Sequence, residues 1–250
     1  MEFKPQKEES KLFLAEEINK PRSQWSANFK KFIKESKEDS LHRKASILNK
    51  EAGEIDKISE VEQKQVFSRY LAELGLSERD IKDKRIMDLG FGNGEFIKYL
   101  LSQGITSSAY GIDSHPGVEV IEDRFKENLF EQSSEVDLPV KDLDYVLAIR
   151  FVWPNWEWAD LPPMDIKKVL ENSLKSLKVG GEIRIYPIEE SAEGNNDKNF
   201  TEEQWRVWAS VLEELSKKYS FEQRIEPRNI FVNTENDDVT LQSVLVLLKR

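Results

Sequence analysis

Apolar residues recur at helical spacing along the first third of the chain. Leu12, Leu14 and Ile18, then Trp25, Phe29, Phe32 and Ile33, repeat every three or four positions, with a break at Pro21. The polar run 34–45 reads as a loop or an exposed helix end. Between Val61 and Leu76 the residues Val66, Phe67, Tyr70, Leu71 and Leu74 share one helical face, and Gly75 ends it. From Arg85 the pattern changes to short apolar runs alternating with amphipathic stretches. Strands are predicted at 85–89, 109–113, 145–149 and 182–186. Between them fall a helix through Phe96, Ile97, Tyr99, Leu100 and Leu101, a helix after Pro116, and a helix from about Asp165 to Leu177 that leads to Gly180-Gly181. Thr201 is expected to cap a last helix through Trp205, Trp208, Val211, Leu212 and Leu215, with Glu202 and Glu203 at its positive end. Two further strands, near 221–227 and 239–248, are separated only by the polar turn 233–238 and should pair antiparallel. Alternation of this kind predicts an α/β domain over 81–250, with a mostly parallel sheet covered on both faces, behind a helical extension over 1–80.

Charge modifies this picture in one place. The net charge of −10 disfavours a phosphate backbone as partner. Residues 1–50, however, hold 12 Lys/Arg against 8 Asp/Glu, a net of +4, most of it between Lys20 and Lys50. That stretch is either the solvated face of a helix or a contact for RNA or another anion. No apolar run approaches the ~20 residues of a membrane span, and Met1–Pro5 lack the apolar core of a signal peptide, so a cytoplasmic protein without a membrane partner is expected. The chain has no cysteine and two histidines, His42 and His115, which excludes disulfides and thiolate metal sites and makes no metal the expectation.

Chemistry concentrates in Met87-Asp88-Leu89-Gly90-Phe91-Gly92-Asn93-Gly94-Glu95-Phe96, at the end of the first predicted strand. Glycines let the chain turn tightly and let a ligand approach the backbone. A dinucleotide site would want Gly-x-Gly-x-x-Gly with a pyrophosphate on the helix N-terminus. Here the third glycine comes one residue early, and Glu95 stands where that fingerprint has glycine. Asp88 and Glu95 would face the pyrophosphate with two carboxylates. A cofactor carrying a sulfonium and an ammonium suits them better.

The Asp-x-Gly-x-Gly-x-Gly pattern resembles motif I of class I S-adenosylmethionine-dependent methyltransferases, and the resemblance runs over roughly residues 66–188. Asp113 ends the second strand, 19 residues after Gly94. Residues 132–140, with Leu138-Pro139, resemble the stretch that cradles adenine; residues 143–147 resemble the strand that follows. Residues 174–181 resemble the family's leucine–lysine–x–Gly–Gly turn before its fifth strand. The resemblance implies a Rossmann-like, mostly parallel seven-stranded sheet with an antiparallel C-terminal strand, and S-adenosylmethionine as cofactor. It implies that Asp88 holds the methionine ammonium, directly or through water, while Gly90, Phe91, Gly92 and Gly94 shape the space for that moiety. Asp113 would bind the ribose hydroxyls, with Ser114 beside it. Ser134 falls where the family has an aspartate on the adenine amino group, a departure for which Glu135 or Asp137 can substitute. Methyltransferases that use a cysteine adduct or an iron–sulfur cluster are excluded by composition.

Ligands of such sheets bind beyond the carboxyl ends of the strands. The loop after the fourth strand, residues 150–158, carries Trp153, Trp156 and Trp158, which either wall a planar or cationic acceptor or pack the N-terminal helices. Arg150 either clamps an anionic group, of cofactor or acceptor, or pairs with a neighbouring acid. As proton acceptors the candidates are Tyr186, Glu189 and Glu190, then His115, and His42 if the N-terminal helices form a lid; a plain surface role competes for each. The Asp/Asn-Pro-Pro-Tyr/Phe turn of adenine- and glutamine-amino methyltransferases is missing, since Trp153-Pro154-Asn155-Trp156 stands in its place. The expected acceptor is a small molecule. The alternatives are an RNA or ribosomal component bound through residues 20–50, a non-catalytic binding protein on the same fold, and, opposed by Glu95, an NAD-dependent oxidoreductase.

Overall fold

In the computed structural model, residues 17, 20, 22–31, 33, 34, 60–114, 123–152, 164–191, 198–232 and 239–250 are described. Seven strands form one sheet in the order β3-β2-β1-β4-β5-β7-β6. They are β1 (Ile86–Leu89), β2 (Ala109–Asp113), β3 (Leu129–Glu131), β4 (Leu143–Ile149), β5 (Leu177–Ser191), β6 (Phe221–Val232) and β7 (Val239–Lys249). Strands β1 to β5 run parallel, and β7 lies antiparallel between β5 and β6. The expected sheet is therefore present, and the two C-terminal strands extend beyond the predicted ones.

Alternation along the strands divides the core in two. Met87, Leu89, Val146, Ile183, Ile185, Leu245 and Leu247 face one side, where α4 (Ile166–Ser176) and α5 (Lys198–Ser216) cover them with Val169, Leu170, Leu174, Trp208, Leu212 and Leu215. Ile86, Leu147, Val244 and Val246 face the other side, beneath α1 (Glu60–Leu74) and α3 (Glu95–Ser102). The short α2 (Glu78–Ile81) places Ile81 in that same layer. On β1 this parity also puts Asp88 on the α1/α3 side, the fact on which the site depends.

Helix α1 ends as its sequence predicts. Gly75 has φ +69°, its N–H donates to the Ala72 carbonyl, and the N–H of Leu76 reaches back to Leu71. These two bonds form the glycine-terminated motif that satisfies the last carbonyls of a helix. Phe67, Tyr70, Leu71 and Leu74 belong to the same core as β1, so the helix is packed onto the sheet it precedes. Tyr70 stacks on Phe96 of α3 at 4.5 Å, and Phe67 meets Tyr99 at 4.7 Å between ring centroids.

Two expectations change. Helix α5 begins at Lys198, so Thr201 lies inside it rather than capping it. The helix expected to follow Pro116 is represented, among the described residues, only by the 3-10 turn Asp123–Phe125. Near the N-terminus, Trp25 and Phe29 are buried edge to face at 5.0 Å, and Glu17 accepts the Ser26 N–H at 2.7 Å, just ahead of the helical residues 27–31. Leu12, Leu14, Ile18, Phe32, His42, His115 and Trp153, Trp156 and Trp158 lie outside the described residues, as does most of the basic stretch.

Candidate functional site

Strand order places the topological switch point between β1 and β4, whose carboxyl ends open a crevice. The glycine turn lies there. Gly90, Gly92 and Gly94 all have positive φ, between +57° and +72°, a region that side chains disfavour. The turn is tied down at three points: Gly90 N–H to the Ile112 carbonyl at 2.8 Å, Gly92 N–H to Asp113 Oδ2 at 3.0 Å, and Gly94 N–H to the Phe91 carbonyl at 2.8 Å. One candidate ligand residue therefore positions the loop that carries the others. Phe91 is turned away from the crevice: its buried ring packs over Gly111, where a Cβ would fall 2.8 Å from it.

Asp88 is the anomaly of the site. It is 1% exposed, and neither carboxylate oxygen has a hydrogen-bond partner among the described residues. Burying an unpaired carboxylate is costly, and proteins ordinarily satisfy such a group or leave it neutral. Burial, then the nearby carboxylates of Asp113 and Glu95, hold its titration well above the usual carboxylate range. Tyr70 of α1 faces the same spot, and its phenol is pushed up by burial first and by Asp88 second. The carboxyl groups of Asp113 and Glu95, beside a buried Asp88 without a partner among the described residues, suit a positively charged ligand group.

The end of β4 supplies the opposite wall. Arg150 has φ +55°, and its N–H donates to the Tyr186 carbonyl at 2.6 Å. Its side chain is 61% exposed and lies 3.8 Å from Glu73 of α1, so of its two expected parts the pairing with an acid is the one seen. Phe151 rests on the glycine turn itself: a Cβ at Gly90 would fall 2.0 Å from its ring. This contact was not anticipated, although Phe151 stood in the loop singled out, because nothing in a sequence tells which ring meets which glycine. Tyr70, too, shows in the sequence only as part of a helical face.

Tyr186, a candidate base, has another part. Its hydroxyl donates to Gln242 Oε1 at 2.7 Å and accepts from Asn229 Nδ2 at 3.2 Å, while Gln242 Nε2 donates to Glu189 Oε1 at 2.9 Å. The ring is 1% exposed, and burial, then Glu73, raises the phenol. The chain of bonds thus ties β6, β7 and β5 together and ends on the half-buried Glu189. Tyr186→Phe is expected to strand both amides and cost about 1–3 kcal/mol of unfolding free energy, read by urea denaturation; a cost under about 0.5 kcal/mol would show that the hydroxyl holds nothing.

On the adenine side predicted by resemblance, Ser134 is buried, and its carbonyl accepts from Asn172 Nδ2 at 3.3 Å; the same amide reaches Val136 O at 2.9 Å. Glu135 Oε1 accepts the Asp165 N–H at 3.0 Å, and Asp165 caps α4 through Lys168. The 132–138 stretch is therefore anchored to α4. Ser114 follows Asp113 and is exposed. An open groove of about 720 Å³ on α5 is lined by that helix alone, from Glu202 to Val211, and does not join the crevice residues. Among the described residues there is no cluster of ligands that could hold a metal ion, and no helix is long and apolar enough to cross a membrane.

No family model matches the sequence, and no curated relative does. Solved structures of class I S-adenosylmethionine-dependent methyltransferases are among those the fold is similar to. One is a Haloferax volcanii complex of the Trm112 methyltransferase activator with a candidate methyltransferase, at 16% identity and TM-score 0.43, over 75% of this chain and 94% of that one. Another is Haemonchus contortus phosphoethanolamine N-methyltransferase 2 with S-adenosylmethionine, at 14% identity and TM-score 0.48, over 74% of this chain and 52% of that one. A third is an S-adenosylmethionine-dependent O-methyltransferase from Thermotoga maritima, at 14% identity and TM-score 0.39, over 81% of this chain and 69% of that one. These are likenesses of fold.

Proposed function

We propose that the protein is an S-adenosylmethionine-dependent methyltransferase acting on a small-molecule acceptor. The observation that carries this reading is Asp88: a buried carboxylate without a partner among the described residues, beside two further carboxylates, on β1 just ahead of a turn of three positive-φ glycines at the switch point of the sheet. These residues fit a cofactor with an ammonium and a sulfonium, and they do not fit a pyrophosphate. Asp88 is assigned to the ammonium, Gly90, Gly92 and Gly94 to the space around it, and Asp113 with Ser114 to the ribose. Ser134 and Glu135 are assigned to the adenine end, where Asn172 of α4 holds the Ser134 carbonyl and the Asp165 N–H holds the Glu135 carboxylate. S-adenosylmethionine, when bound, supplies an electrophilic methyl group. The protein's share is to orient the acceptor and exclude water, which a preorganised crevice does without further reactive groups.

A small acceptor is favoured over a nucleic acid by the acidic chain as a whole, net −10, and by the carboxylates at the crevice. Glu189, held by Gln242, is the one half-exposed carboxylate assigned to receive a proton, and Arg150 is assigned to the acceptor side of β4. Calorimetric titration with S-adenosylmethionine tests the cofactor. Binding is expected, weaker by about 1–3 kcal/mol in Asp113→Ala through loss of charge-assisted hydrogen bonds. NAD should give no heat of binding. Asp113→Asn keeps an acceptor for the Gly92 N–H and so separates loop collapse from lost ribose contact. Binding indifferent to Asp113 would remove the ribose assignment, and absence of binding would remove the cofactor itself.

A further inference from the structure

We propose that Asp88 is ionised only when a cation rests on it, so that binding the cofactor's ammonium releases a proton from this carboxyl to solvent. The inference rests on the cofactor reading above and goes beyond it, because it concerns the state of the protein before the cofactor arrives. Its basis is geometric. Both oxygens of Asp88 are out of water, and no donor among the described residues reaches either. The groups that face it are of the wrong sign or neutral. Asp113 comes from β2, Glu95 from α3 and the Tyr70 phenol from α1. Its register partners on β2 and β4 are Gly111 and Leu147. Among the described residues, Arg69 and Arg150 are drawn to Glu73 instead.

A carboxyl in such a place keeps its proton until something compensates the charge. An ammonium arriving at the oxygens does so. The O–H bond of the carboxylic acid breaks, the proton leaves to buffer, and an N–H of the ammonium donates to the carboxylate. The sign follows from the raised titration of the free protein. Affinity should climb with pH between the carboxyl's lowered titration in the complex and its raised titration in the free protein, and level off above the latter. The device also discriminates. A ligand that offers no cation at this point must either leave the acid protonated or bury an uncompensated charge.

The test is calorimetry of the whole protein with S-adenosylmethionine and with S-adenosylhomocysteine near pH 6, in buffers of unequal ionisation enthalpy. The two ligands share the ammonium, and only the former has the sulfonium. Expected is release approaching about one proton for either ligand, and an affinity that rises up to about tenfold per pH unit across the titration range. In Asp88→Asn, which cannot ionise, the release and the pH slope should disappear. Heats that do not depend on buffer, or release that persists in Asp88→Asn, would overturn the inference while leaving the cofactor in place. Release with S-adenosylmethionine alone would overturn the assignment to the ammonium. Failure of both ligands to bind would instead overturn the cofactor reading.

Discussion

Replacing Gly90 with alanine is expected to lower the unfolding free energy by about 2–5 kcal/mol and to abolish cofactor binding. Two costs add. The residue sits at φ +71°, where a Cβ costs on the order of 1–2 kcal/mol. The new methyl would also fall 2.0 Å from Cδ2 and 2.3 Å from Cγ of Phe151, so that ring must leave its place, which for an overpacked site costs about 1–3 kcal/mol. The parts can be separated. In a Phe151→Ala background the collision is gone and the backbone cost remains, so Gly90→Ala should then cost only about 1–2 kcal/mol. A double-mutant cycle by denaturant unfolding reads the difference as a coupling energy. No coupling would mean that Phe151 does not rest on the turn. Cofactor binding should stay lost in the double variant, because the turn is displaced even where the collision is relieved.

The contrast between the residues of this turn shows what a sequence can and cannot tell. The glycines were legible because each answers a local demand, positive φ at a sharp strand-to-helix turn, and local demands leave local marks. The face of α1 was legible for the same reason: period and terminating glycine both act within one helix. Asp113 was legible through its distance along the chain from the glycine turn, and the fold brings it to Gly92. Strand β3 was not, because Leu129–Glu131 holds a single buried side chain and shows no alternation. Thr201 misled because a good capping residue need not cap when the helix already extends to Lys198. Phe151 on Gly90, Gln242 between Tyr186 and Glu189, and the isolation of Asp88 are all products of tertiary contact. An acidic residue in a short apolar strand can be salt-bridged, hydrated or alone, and only the surroundings decide.

The charged residues of β5 and β6 belong to that second class, and they lead to the other large effect: Arg184→Ala should cost about 3–5 kcal/mol, the typical penalty for breaking a buried ion pair by removing one partner. In the sequence, Glu182, Arg184, Arg224, Glu226 and Arg228 are alternate positions of two strands. In the fold the face they share lies under the end of α1. The guanidinium of Arg184 is buried, donates through Nη1 to the Leu74 carbonyl at 2.7 Å, and meets Glu182 through Nε and Nη2 at 2.7 Å. Arg228 lies against Gly75, where a Cβ would fall 1.6 Å from its Nη2, and pairs with Glu226. Two buried cations thus receive the negative end of the helix that carries Tyr70 and Glu73 to the crevice. Alanine at 184 removes a fork that serves a helix carbonyl and a carboxylate together; it strips the Leu74 carbonyl of its donor and leaves Glu182 with Arg224 alone. Lysine keeps the charge but cannot hold both in one plane, so Arg184→Lys should recover only part of the loss. The exposed pair Arg250–Glu222 provides the control, since water screens it and its removal should leave the urea midpoint nearly unchanged. Urea unfolding of the three variants ranks them. If Arg184→Ala were as mild as Arg250→Ala, the cation would not be what holds α1 down, and the placement of Tyr70 beside Asp88 would have to come from the aromatic contacts of α1 with Phe96 and Tyr99.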